Sequence, residues 1–147
     1  MPVVPFAPRR RSEPRRHSTS SRSKRSSWIQ RQTRRPNVVG CAGNGLEALR
    51  QVSKFKPDVV LMDISMSELN GIEATNLIHE RAPAAKVVIL SMHADRDYVL
   101  RALRAGARGY LLKRSAGQEI LDAIRAVQQG RRFLSQDIAE EDRKSVV

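Results

Sequence analysis

Three polar residues close three apolar runs in this chain. Asp63 follows Val59-Val60-Leu61-Met62, Ser91 follows Val87-Val88-Ile89-Leu90, and Lys113 follows Tyr110-Leu111-Leu112. A carboxylate, a hydroxyl and an amine form the set that accepts and holds a phosphoryl group. The carboxylate is the nucleophile, the hydroxyl donates to a phosphoryl oxygen, and the ammonium offsets the added negative charge. Taken singly, Ser91 and Lys113 are ordinary polar residues at strand ends. Asp63 taken singly is a turn or helix-capping residue, but the next helical pattern begins roughly eight residues later, too far for it to cap. The joint spacing is what points to chemistry.

For these residues to meet, the elements between them must return the chain to one rim. From Val38 onward short apolar runs alternate with helical periodicity, the pattern of repeated βα units and a parallel sheet. Val38–Gly40 reads as a weak strand. Ala42-Gly43-Asn44-Gly45 is a turn, and a helix with Leu46, Leu49 and Val52 on one face is stopped by Lys56-Pro57-Asp58. The unbroken run 59–62 predicts a central strand covered on both faces. Asn70-Gly71 leads into a helix presenting Ala74, Leu77 and Ile78, which Ala82-Pro83 closes. After the strand 87–90, Asp95 caps a helix carrying Val99, Ala102 and Leu103, and Gly106 and Gly109 punctuate the chain before the strand 110–112. A last helix over 116–129 sets Ile120, Ala123, Ile124 and Val127 on one face, with Gly130 as its stop. Right-handed crossovers keep parallel strands pointing the same way, and chemistry in such sheets gathers outside their carboxyl ends. Asp63, Ser91 and Lys113 are therefore expected on one edge.

In order and spacing, several stretches resemble the receiver domains of two-component response regulators, particularly those of LuxR-type transcription regulators. They are Val-Val-Gly-Cys-Ala-Gly-Asn-Gly at 38–45, Pro-Asp-Val-Val-Leu-Met-Asp-Ile-Ser-Met at 57–66, Leu-Asn-Gly-Ile-Glu-Ala at 69–74, Val-Val-Ile-Leu-Ser-Met-His at 87–93 and Ala-Gly-Ala-Arg-Gly-Tyr-Leu-Leu-Lys at 105–113. The resemblance implies a flavodoxin-like, doubly wound α/β fold. It implies that Asp63 accepts phosphate from a histidine kinase, that Ser91 and Tyr110 form a switch pair, and that Lys113 contacts the phosphoryl group. It identifies the chain as a phosphoacceptor signalling domain rather than an enzyme, in phosphorelay signalling and transcription regulation.

The family also implies Mg²⁺, held by the phosphoacceptor and two adjacent acids at the end of a first strand. Of that set this chain keeps Asp63 only. The sole acid before Glu47 is Glu13, in Ser-Glu-Pro-Arg-Arg. The expected fold is thus incomplete, lacking the first strand and first helix, and Mg²⁺ binding and phosphotransfer are expected to be impaired. In the family's 2-1-3-4-5 strand order the missing strand lies beside the one carrying Asp63. That strand is then expected to be an apolar edge, through which the chain would self-associate. Ser67 stands where the family commonly has proline, and Cys41 where it commonly has an acid. No helix-turn-helix segment follows, so specific DNA binding by this chain is not expected.

Charge divides the chain in two. Residues 1–37 carry 11 Lys or Arg against the single acid Glu13, while the remaining 110 residues carry 16 basic and 14 acidic side chains. The expected organisation is a disordered Arg-, Ser- and Pro-rich tail over 1–36, a partial receiver domain over 37–135 and a linker remnant over 136–147. The tail admits three accounts: a nucleic-acid-binding arm with Trp28 as a stacking surface, a transit segment, or translation from a frame other than the one that encoded the first strand. Nucleic-acid binding through the tail is the alternative function. One cysteine excludes a disulfide framework, and no apolar run reaches membrane-spanning length, so a cytoplasmic, non-membrane location is expected. His17, His79 and His93 lack metal-ligand spacing.

Overall fold

The computed structural model describes residues 36–144, apart from the side chains of Glu141 and Asp142. Its elements in chain order are α1 (Gly45–Phe55), β1 (Val59–Asp63), α2 (Gly71–Arg81), β2 (Lys86–Ser91), α3 (Arg96–Arg104), β3 (Gly109–Leu112), α4 (Ala116–Gln128), β4 (Phe133–Leu134) and α5 (Gln136–Lys144). The four strands pair in parallel in the order β1-β2-β3-β4. The expected tail, standing where the family's first strand and helix would be, falls outside the described residues but for Pro36.

Alternation along the strands explains why their sequences are apolar without interruption. In β1, Val60 and Met62 enter one core and Val59 and Leu61 the other. Strand β2 divides its Val87 and Ile89 from Val88 in the same way, and β3 its Tyr110 and Leu112 from Leu111. Helices α1, α2 and α3 cover the first face through residues such as Val52, Ile78 and Ala102, and α4 covers the second through Ala123, Ile124 and Val127. Successive side chains of a strand point to opposite faces, so a sheet clad on both sides needs apolar residues at every position.

The helix boundaries are set by caps. Asn44 accepts from the Glu47 amide, and the Glu47 carboxylate returns to the Gly43 amide, closing α1 at its start. Lys56, at φ 47°, ends it in the left-handed conformation. Asn70 accepts from both Ile72 and Glu73 to begin α2. Asp95 sits at the N-cap position of α3 but makes no side-chain cap hydrogen bond.

Three expectations are corrected. Val38–Gly40 is not a strand, because no neighbour among the described residues offers it a ladder. The strand ending in Asp63 is not the central strand that its apolar run alone predicts: among the described strands β1 is the end member of the row, the edge position expected from the family's strand order. The packed unit also runs past Ser135, where its end was expected. Phe133–Leu134 pairs with β3, and within the expected linker remnant over 136–147 residues 136–144 form a helix, with Ile138 only 4% exposed in the core between the helices and the sheet.

Candidate functional site

Strand register assembles the site. Asp63 is the last residue of β1 and lies opposite Leu90 of β2, and the chain stays clamped beyond it by the Ile64 amide donating to the Leu90 carbonyl at 3.2 Å. Ser91 is the last residue of β2 and lies opposite Leu112, after which the Lys113 amide donates to the Ser91 carbonyl at 2.9 Å. All three predicted residues therefore reach the carboxyl rim of the sheet, Asp63 level with Leu90 and Leu111, Ser91 one step beyond it and Lys113 two.

Two of them touch. Lys113 Nζ donates to Asp63 Oδ2 at 2.7 Å, with 17% of the Asp63 side chain and 35% of the Lys113 side chain exposed. The other carboxylate oxygen, Oδ1, accepts from the Ser65 amide at 2.9 Å, an Asx-type turn that aims the side chain along the rim. Behind it, Gly71 lies so close to the Asp63 carbonyl oxygen that a β-carbon at position 71 would collide with it. The carboxylate is thus held at both oxygens and supported from below.

Ser91 and Tyr110 do not touch the carboxylate in the contacts observed, but they converge on one backbone segment. Ser91 Oγ accepts from the His93 amide at 3.0 Å, and the Tyr110 hydroxyl donates to the His93 carbonyl at 2.7 Å. Both side chains are buried, and the His93 ring stacks on Tyr98 with centroids 4.4 Å apart. Burial pushes the Tyr110 phenol above its usual pKa, with Asp95 and Tyr98 adding to the rise and the nearby Ser91 hydroxyl opposing it. The phenol is accordingly a neutral donor that pins the loop between β2 and α3.

Comparison with known proteins decides what this rim belongs to. Residues 20–125 match the family model of the response regulator receiver domain. The chain belongs to the response-regulator receiver family. It is 42% identical over 97 residues to the transcriptional regulatory protein DegU of Brevibacillus brevis, covering 66% of this chain and 41% of that protein. It is likewise 42% identical over 98 residues to the oxygen regulatory protein NreC of Staphylococcus aureus, covering 66% of this chain and 45% of that one. This receiver therefore spans less than half the length of those curated relatives. Among solved structures, a LuxR-family two-component response regulator from Aurantimonas sp. SI85-9A1 superposes with a TM-score of 0.71 at 37% identity, over 85% of this chain and 91% of that one. The α/β fold expected from the residues is that of a LuxR-type receiver. Receivers are signalling domains of two-component systems, and no helix of the described residues is long and apolar enough to cross a membrane.

The family's Mg²⁺ can be tested against the donors present. Among the described residues no three His, Cys, Asp or Glu side chains are grouped to hold a metal ion. Both oxygens of Asp63 are engaged by donors, Glu47 is spent on capping α1, and Asp58 precedes β1 at the end of the strand opposite Asp63. Mg²⁺ is held through carboxylates and phosphate, and one carboxylate already paired with an ammonium does not make such a site. The residues do not fit the ion.

Sequence reading missed the groups that surround the four. The Ser65 amide was legible in the Asp-x-Ser spacing of an Asx turn, and Gly71 in its place at a helix start. The His93 backbone carries no signal in its side chain, because its role is to present an amide and a carbonyl.

Proposed function

We propose that Asp63 is the phosphoacceptor of this receiver, with Lys113 as the counter-charge to the phosphoryl group and Ser91 and Tyr110 as the pair that reports its arrival. The observation that carries this reading is the 2.7 Å contact from Lys113 Nζ to Asp63 Oδ2 across two strand ends. In the transfer, an Asp63 carboxylate oxygen attacks the phosphorus of a phosphohistidine. The P–N bond breaks as the P–O bond forms, and the departing imidazole nitrogen keeps the electron pair and takes up a proton. Lys113 then follows the charge from carboxylate to phosphoryl oxygen, and the Ser91 hydroxyl donates to a second oxygen. Moving Ser91 releases the His93 amide, which loosens the segment that Tyr110 holds from the other side.

A histidine kinase is the proposed donor and transcription control the proposed output of the longer proteins of this kind, by analogy with the regulators to which the chain is similar. Transfer is proposed to be slow, because nothing among the described residues replaces the paired acids that hold the family's metal. The test is incubation of the full chain with acetyl phosphate over a Mg²⁺ titration, reading acid-labile phosphate on Asp63 by mass spectrometry. Slow, substoichiometric labelling that responds little to Mg²⁺ and vanishes in Asp63→Asn is expected. Label that survives Asp63→Asn, or none from either acetyl phosphate or a phosphorylated kinase, overturns the assignment of Asp63. Near-stoichiometric, Mg²⁺-dependent labelling overturns the argument from the missing acids.

A further inference from the structure

Helix α5 is tied to the candidate site by a set of contacts that neither the strand-end constellation nor the core requires. The three residues that follow β3 each reach in a different direction. Lys113 holds Asp63, Arg114 grips Asp137 of α5 through Nε at 3.0 Å and Nη2 at 2.8 Å, and Ser115 contacts Glu119 of α4 at 3.1 Å. Glu119 then spans the gap to α5. Its Oε2 accepts from the buried Ser135 hydroxyl at 2.6 Å, and its Oε1 accepts from the Gln136 amide at 3.0 Å. A carboxylate from one helix therefore caps the amino end of another, where free amides and the helix dipole favour negative charge. The Ser135 hydroxyl oxygen also accepts from the Leu112 amide at 2.9 Å, and the Ser135 amide donates to the Tyr110 carbonyl. The first turn of α5 is thus hung on the strand that carries Tyr110 and leads into Lys113.

We propose that α5 is the output element of this chain, latched by Glu119 and Arg114 and released when Lys113 leaves Asp63; this rests on the assignment of Asp63 and Lys113 given above. The physical reason is continuity. Lys113 and Arg114 are adjacent in one short turn, so a side chain that follows charge from the carboxylate to a phosphoryl group pulls on the backbone that presents the neighbouring guanidinium. Apart from that latch, α5 rests on the core mainly through Ile138. An element with little buried surface and charged end contacts belongs to the low-stability end of a domain, where opening is local.

The test is amide hydrogen exchange of the full chain, comparing 137–144 with the β2 and β3 amides as internal reference. Glu119→Gln is expected to speed exchange across α5 by about tenfold, the size set by losing charge-assisted bonds at a helix end, and Arg114→Ala by about two- to fivefold because its ion pair with Asp137 is exposed, both leaving the strands unchanged. Lys113→Met is expected to reproduce part of that acceleration with no phosphodonor present. It should add less than its full effect on top of Arg114→Ala. If Glu119→Gln and Arg114→Ala leave α5 unchanged, there is no latch. If they release α5 and Lys113→Met does not, the latch exists but is not coupled to the site. Either result overturns the proposal. Because no phosphate is used, a chain that fails to phosphorylate would refute the function proposed for Asp63 and leave this outcome readable.

Discussion

Gly71→Ala is expected to destabilise the domain although helix propensity alone predicts the reverse. Gly71 is the first residue of α2, and replacing a helical glycine by alanine is ordinarily worth up to about 1 kcal/mol in favour of alanine, less at a helix end. Against this stands the backbone of the site. The added methyl would meet the carbonyl oxygen of Asp63, its carbonyl carbon at 2.8 Å and the α-carbon of Ile64 at 2.8 Å, all main-chain atoms that cannot rotate aside. Overpacking against a fixed wall costs about 1–3 kcal/mol, so the clash wins and a net loss of about 1–2 kcal/mol is expected. For a domain of this size that lowers Tm by roughly 4–15 °C. The matched control is Gly117→Ala in the first turn of α4, where nothing lies within 4 Å of the added methyl. There only the favourable term acts, and stability should stay level or rise by up to about 1 kcal/mol. Urea denaturation of both variants beside the parent decides the matter. A Gly71→Ala protein as stable as the Gly117→Ala protein would mean that α2 does not press on the backbone of Asp63, and the support inferred for the carboxylate would be lost with it. Because relief of the clash must displace residue 63, the same variant should also label more slowly with acetyl phosphate than the parent.

Tyr110→Phe removes the hydroxyl that donates to the His93 carbonyl and should cost about 0.5–1.5 kcal/mol at neutral pH. In the folded chain the phenol titrates above its usual value through burial, so the native state keeps its proton longer than the unfolded chain does. That stabilisation is complete below the unfolded value near pH ~10 and is lost as pH rises through the raised one, giving an alkaline fall in stability that Tyr110→Phe should abolish in pH-resolved urea melts. Ile138→Ala should cost about 2–3 kcal/mol, the lower part of the range for deleting a buried isoleucine side chain, since α5 lies at the margin of the core. No change in urea midpoint would mean that 136–144 is a loose extension after all.

The legible part of this protein is what repeats. Val59–Met62, Val87–Leu90 and Tyr110–Leu112 announce two-sided strands because a clad sheet leaves no position for a polar residue until the strand emerges, and the residue at which each emerges is the one to which chemistry is assigned in the proposed function. Fold and site are therefore read from the same punctuation, and Asp63, Ser91 and Lys113 were visible for the reason that Met62, Leu90 and Leu112 were. What was not visible lacks that periodicity. Phe133–Leu134 is too short to show alternation, and Ile138 is a single apolar residue among Gln136, Asp137, Ala139 and Glu140, so nothing in the local pattern distinguishes a docked helix from a polar linker. Beyond Ile138, its docking rests on Glu119 and Arg114, which lie 17 and 23 residues before the residues they hold. Val38–Gly40 shows the converse failure. Its residues suit a strand, but a strand is a relation between two segments, and the partner that would complete the ladder is not among the described residues. Local propensity thus locates the groups that act, whereas the contacts that connect α5 to them are long-range and polar. Such contacts leave no trace in periodicity, so the coupling proposed here had to be read from distances between side chains.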